Sequence, residues 1–259
     1  MSAPVSLGIA AAAGVEVAAL LAPAAERAGF HALWVNDTPG ADAFEVLAAA
    51  AAVTDRLVLA TGVLPVDRRT PESIVARVDA LGLPVDRLVL GIGSGSGGAV
   101  GALARVRDAA AALRAGSDAS VVVGALGPKM RRLGAGASDG VLLSWLTPEA
   151  ARAQTDAAHE VSPAARAALY VRAATDPAAL DRLQNEAARY AGYPSYAANF
   201  ARLGIAAADT VLRPQGFAAE LAAYREAADE VVLRAIVSGD DPADYLAFTA
   251  SAADAMTAG

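Results

Sequence analysis

Apolar residues along the chain fall into two alternating patterns. Short β-branched runs such as LVLATGV, RLVLGIG, VVVGALG, GVLLSW and EVVLRAI are hydrophobic at nearly every position, as strands covered on both faces are. Between them lie alanine-rich segments with polar positions at helical spacing. The alternation predicts strands at Val5–Ala10, Ala32–Asn36, Leu57–Val63, Arg87–Ile92, Ser120–Ala125, Gly140–Ser144, Ala168–Ala173 and Glu230–Ala235. Eight strands separated by helices fit a closed, single (β/α)₈ TIM barrel of α/β class, and the 259 residues suit the roughly 250 that one barrel needs. Helix starts carry capping residues: Asp42, Thr147 before Pro148 and Glu149, Thr175 and Asp176 before Pro177, and Asp240 to Asp244 around Pro242. Residues Tyr193 to Leu203 read as an extra helix between the seventh and eighth strands. No linker divides the chain, so residues 1–259 are expected to form one domain.

Composition narrows the partners. Hydrophobic residues make up 55% and charged residues 19%, enough apolar surface for a large core. The net charge of −7 and pI near 4.9 argue against nucleic acid or an anionic membrane as partner. Cysteine is absent, which removes disulfides, thiolate metal ligands and a thiol nucleophile, and suits a cytoplasmic protein. No metal site is expected. The amino terminus lacks a basic start and is interrupted by Glu16, so it reads as strand then helix rather than as a signal sequence. The mean hydropathy of +0.38 comes from alanine, not from a membrane span.

Barrel enzymes keep their chemistry at the carboxyl ends of strands, and these ends hold the candidate residues. AERAGFHALWVND delivers Asn36 and Asp37 to such an end; Asp37 is the titratable candidate for catalysis, although capping the next loop is an equal alternative. His31 lies at the opposite rim. LATGVLPVDRRTP puts Gly62 at the end of a buried strand, where a bulge or a flat ligand needs a missing Cβ, and Arg68 and Arg69 follow. RLVLGIGSGSGG runs into Gly93, Ser94 and Gly95, whose backbone N–H groups suit a phosphate, with a plain flexible linker as competitor. VVVGALGPKMRRLG ends a strand in Gly124 and opens a helix at Gly127, Pro128, Lys129 and Met130. Cations here, Lys129 with Arg131 and Arg132, oppose the helix dipole unless an anion binds. SDGVLLSWLTPE brings Ser144 and Trp145 to the next rim; Trp145 walls a pocket or merely covers the barrel.

Taken together, AERAGFHALWVND, TGV followed by RTP, RLVLGIGSG, VGALGPKM and DGVLLSWLTPE resemble the bacterial luciferase-like monooxygenase superfamily, in that family's order. GALGPKM looks most like the deazaflavin-dependent reductase branch. The resemblance implies a luciferase-like flavin- or deazaflavin-dependent oxidoreductase, performing hydride transfer or monooxygenation on a small organic substrate. The implied cofactor is FMN or the deazaflavin coenzyme F420, with deazaflavin preferred, and a homodimer is the implied assembly. Gly62 and Val63 would form a bulge, often with a cis peptide, behind the cofactor ring. Gly93 to Gly95 and Gly127 to Lys129 would hold its phosphate, and Asp37 would lie near the ring. Arg69, with Trp145, would face substrate or an anion. Three departures stand out. Thr38 occupies a position where the family commonly has histidine, the glycines after the fourth strand lack the acidic or aromatic residue that often follows them, and only about 18 residues separate Ala102 from Ser120, where relatives carry a long covering insertion. The shortened connection leaves a second reading: a cofactor-free luciferase-like barrel acting as a structural or partner-binding protein.

Overall fold

The computed structural model describes residues 2–95 and 100–258. In chain order the elements are β1 (Val5–Ala10), α1 (Gly14–Arg27), β2 (Ala32–Asn36), α2 (Ala43–Ala51), β3 (Val58–Thr61), β4 (Leu64–Pro65), α3 (Pro71–Leu81), β5 (Leu88–Gly93), α4 (Ala102–Gly116), β6 (Ser120–Gly124), α5 (Pro128–Ala137), β7 (Gly140–Ser144), α6 (Pro148–Val161), β8 (Arg166–Ala173), α7 (Leu180–Ala191), α8 (Pro194–Leu203), α9 (Phe217–Ala227), β9 (Glu230–Ala235) and α10 (Pro242–Thr257). The strands run in the order β3-β2-β1-β9-β8-β7-β6-β5-β4, and β3 also pairs with β5. That last pairing closes the sheet. All pairings between these strands are parallel, so the structure is the expected TIM barrel.

The third strand differs from the expected continuous run over Leu57–Val63. It is split into β3 and β4, both lying beside β5. Ala60 faces Val89 and Leu64 faces Ile92, so four steps on one side match three on the other. This is a one-residue bulge, and the Gly62–Val63 peptide within it is cis. Because of the extra residue, Gly62 and Val63 both turn inward, and Leu64 resumes the outward face.

Alternation sorts the remaining strand residues into two cores. Outward residues, among them Leu7, Ile9, Leu33, Val35, Leu90, Ile92, Val121, Val123, Leu143 and Leu233, join helix side chains in the main cluster. Inward residues Ala32, Trp34, Ala60, Val122, Leu142, Ala168, Tyr170 and Val232 fill the lumen, so the barrel is packed and is not a pore. At its amino end the buried Glu230 carboxylate accepts from Ser6 Oγ at 2.6 Å and Trp34 Nε1 at 2.7 Å. A buried carboxylate is tolerated when hydrogen-bonded in this way.

Among the described residues three helix starts carry side-chain caps, whereas Asp241 before α10 makes no capping bond. Asp42 accepts from Phe44 N at 3.0 Å, Thr70 from Ser73 N at 3.3 Å and Thr147 from Ala150 N at 3.3 Å. Asp176 caps a 3₁₀ turn, and the expected extra helix is α8, which begins at Pro194. The connection after β5 is occupied by the single helix α4, and residues 96–99 of the glycine run, including Gly97 and Gly98, lie outside the described residues. No helix among the described residues is long and apolar enough to cross a membrane.

Candidate functional site

At the carboxyl end of the barrel, inward positions place Asn36, Gly62, Gly93, Gly124, Ser144, Arg172 and Arg234 around the mouth. Gly62 is backed tightly: a Cβ there would stand 3.2 Å from Trp34, 3.3 Å from Leu142 and 3.4 Å from Tyr170. Val63 fills the space that Gly93 and Gly124 leave open, since a Cβ on either would lie 2.7 or 2.9 Å from its methyl groups. The glycines at these strand ends therefore make room for the bulge itself. Asn36 Nδ2 donates to the Gly62 carbonyl, and the Tyr170 hydroxyl donates to Asn36 Oδ1 at 3.0 Å. Burial pushes the Tyr170 phenol up, with Arg234 and Arg172 pulling against it, so it stays a protonated donor.

Arg172 is 5% exposed. Its NH1 donates to Ser144 Oγ, and its Nε donates to Glu186 Oε1 at 3.3 Å. The guanidinium carbon lies 4.1 Å from the Trp145 ring centroid and 4.8 Å from that of Tyr190, within cation–π range. Trp145 adopts φ of 59°, the left-handed region that a bulky residue rarely enters. Its Nε1 is buried without a hydrogen-bond partner. Around it stand Tyr190 at 4.8 Å and Phe200 at 6.2 Å, and Tyr190 in turn meets Tyr193 at 5.4 Å and Tyr196 at 4.9 Å. Helices α7 and α8 thus bring an aromatic wall against Trp145.

Asp37 and Arg69, expected separately as catalytic carboxylate and anion site, are paired. Arg69 donates from Nε to Oδ2 at 3.1 Å and from NH2 to Oδ1 at 2.8 Å. It also reaches Asp42 at 3.2 Å, which binds Arg77 at 3.1 Å. Burial opposes the charge on Arg69, but hydrogen bonding and attraction from Asp37, then Asp42, raise its pKa. Asp37, Asp42 and Arg69, with Thr38, Gly40 and Glu45, line a surface cleft of about 530 Å³.

The two expected phosphate loops differ. Gly95 has φ of +70°, and a Cβ on it would lie 1.8 Å from Asp67 Oδ1, so a carboxylate already sits against that backbone. The start of α5 is open. Gly127 caps it without a side-chain hydrogen bond, and nothing lies within 4 Å of a Cβ built there. Lys129 is exposed and Met130 packs partly onto the core. Arg131 donates to the Leu126 carbonyl at 2.6 Å; burial and the like charge of Arg202 on α8 lower its pKa.

Sequence reasoning passed over Tyr170, Arg172, Arg202 and Arg234. A signal for three of them exists. Period-two reading of RAALYVRA puts Arg166, Ala168, Tyr170 and Arg172 on one face, and EVVLRA puts Glu230, Val232 and Arg234 on one face. Charged residues in strands apolar on both sides belong at the ends of the lumen.

The family model described as luciferase-like monooxygenase matches residues 5–119, as the motifs led us to expect. No curated protein matches the chain. Among solved structures the chain is similar to an F420-dependent secondary alcohol dehydrogenase in complex with an F420-acetone adduct: 14% identity, 96% of this chain and 97% of that one covered, TM-score 0.72. It is similar to monooxygenase RslO1 from Streptomyces bottropensis, with 16% identity, 98% and 99% covered and TM-score 0.71. A third is the oxygenating constituent of 3,6-diketocamphane monooxygenase from Pseudomonas putida in complex with FMN, with 14% identity, 98% and 97% covered and TM-score 0.66. These likenesses establish the shared fold.

Proposed function

From a chain whose residues 5–119 match the luciferase-like monooxygenase family, we propose a flavin- or deazaflavin-dependent oxidoreductase acting on a small organic substrate. The observation that carries this reading is the start of α5, an uncapped helix end beside Arg131 and Arg202 with no carboxylate among their ion pairs in the described residues. Helix N–H groups and two guanidiniums fit a phosphate ester, so the residues present suit the phosphorylated tail of either cofactor. Gly127 to Met130 would hold that tail, with Arg131 and Arg202 meeting its charge. Of the two glycine loops this is the better placed, because Asp67 sets a negative charge against Gly95.

When bound, FMN or F420 supplies the hydride chemistry. The chain's own residues position and exclude water. Gly62 and Val63 would back the ring, with the Gly62 carbonyl held by Asn36 and Asn36 held by Tyr170. Gly93 and Gly124 act by admitting Val63. Asp37, paired with Arg69, would fix the rim. Trp145, buried beneath Arg172 and Tyr190, would support the mouth from behind. The net charge of −7 and the absence of cysteine favour a cytoplasmic protein without nucleic-acid partners, and the resemblance implies a homodimer.

Calorimetric titration of the purified protein with FMN and with F420 tests the reading. The expected result is one saturable site of micromolar affinity or better for one of them. Replacing Arg202 by Ala should weaken it by about 10-fold or more, the worth of one charge-assisted hydrogen bond. No heat with either cofactor would leave the cofactor-free barrel.

A further inference from the structure

Arg172 and Arg234 are Cα partners in the β8–β9 register, and both belong to the inward set at the carboxyl end. Like charges held side by side on neighbouring strands destabilise a sheet unless opposite charge meets them. For Arg172 that charge is Glu186, 3.3 Å away, which also lies 3.7 Å from Arg189. Arg234 is half-buried and donates to the carbonyl of Ala235. Among the described residues it forms no ion pair. The mouth therefore holds a guanidinium without a carboxylate, in a protein whose net charge is −7.

A second, independent observation stands beside it. Trp145 is 1% exposed, and its ring Nε1 has no acceptor. A buried donor left unmade is costly, and an oxygen brought by a ligand would satisfy it. Trp145 shares its cluster with Ile236, two residues beyond Arg234, and with Phe200 of α8. The tyrosines at 190, 193 and 196 continue that wall outward, and Tyr193 is 45% exposed. Arg234 and Tyr190 both lie within electrostatic reach of Tyr170, which puts the cation and the aromatic surface at one rim.

We propose that the mouth takes a planar carboxylate, aromatic or unsaturated, whose carboxylate accepts from Arg234 and whose ring lies against the aromatic wall of α7 and α8. This rests on the oxidoreductase reading for its chemistry, but the binding step needs no cofactor. A bidentate guanidinium–carboxylate pair in a half-buried site gives both affinity and orientation.

The test titrates the full chain with benzoate and with its neutral isostere benzamide, with and without FMN or F420, following tryptophan fluorescence and heat. Benzoate should saturate the signal and benzamide should bind at least 10-fold more weakly. Arg234→Gln should cost benzoate at least 10-fold and leave benzamide unchanged, while Arg234→Lys should recover part of the loss. Equal binding of benzoate and benzamide to the unaltered protein overturns the proposal, whatever the variants do. So does an Arg234→Gln protein that binds benzoate as the parent does. Benzoate selectivity with no cofactor binding would sustain the carboxylate site and sink the oxidoreductase reading. Cofactor binding without benzoate selectivity would do the reverse.

Discussion

Arg172 ties three elements together through one side chain, reaching Ser144 of β7, Glu186 of α7 and the ring of Trp145. Replacing it by Met would strand Glu186, whose side chain is 16% exposed. Breaking a buried ion pair costs about 3–5 kcal/mol. Because Arg189 remains 3.7 Å from Glu186, we expect the lower end, about 3 kcal/mol, in urea denaturation, and partial recovery on adding Glu186→Gln. Alkaline pH acts on a second set of residues. Burial raises the pKa of Tyr170 and of Tyr224, so the folded protein keeps protons that the unfolded chain releases above about pH 10. Stability is thus intact below that pH and falls above it, by about 1.4 kcal/mol per pH unit for each tyrosine. Tyr224→Phe should remove one tyrosine's share of the slope measured between about pH 10 and 12.

Helices α7 and α8 pack on their own cluster, with Trp145, Ala174, Leu183, Ala187, Phe200, Val211 and Ile236, apart from the main core. A satellite core of this size opens more easily than the barrel beneath it. Phe200→Ala should cost about 3–4 kcal/mol. Amide exchange in α7 and α8 should quicken more than in β5 to β7; uniform quickening would mean that the satellite and barrel open together. Much of this architecture is legible in the sequence, because a strand covered on both faces writes its burial as an unbroken apolar run. The bounds of β1, β2, β7 and β9 match those runs residue for residue. The split after Thr61 is not written that way, since a bulge depends on how many residues the neighbouring strand sets against it. Asp37 and Arg69 were visible as chemistry but not as partners, for they are 32 positions apart and meet only when the second and third strands lie together. Arg234 hid within an otherwise apolar run, where only its inward parity marks it.

Across the whole molecule, the closing contacts join distant segments: Ser6 to Glu230 spans 224 positions and Trp34 to Glu230 spans 196. Parallel sheets built from such contacts fold slowly, because the chain must be ordered before they form. Refolding followed at Trp34 in a Trp145→Phe variant should take on the order of a second or longer, whereas a sub-millisecond phase carrying the full amplitude would contradict this. Glu230→Ala should cost about 3 kcal/mol or more, as Ser6 and Trp34 would both lose their acceptor. At the opposite end, Val63 lies in a socket made from side chains that Gly93 and Gly124 do not have. Those three positions share one volume, and size can move among them but cannot be added. Gly93→Ala should be rejected when made alone and accepted when combined with Val63→Ala, and relatives that enlarge one of the three positions should be found to have shrunk another.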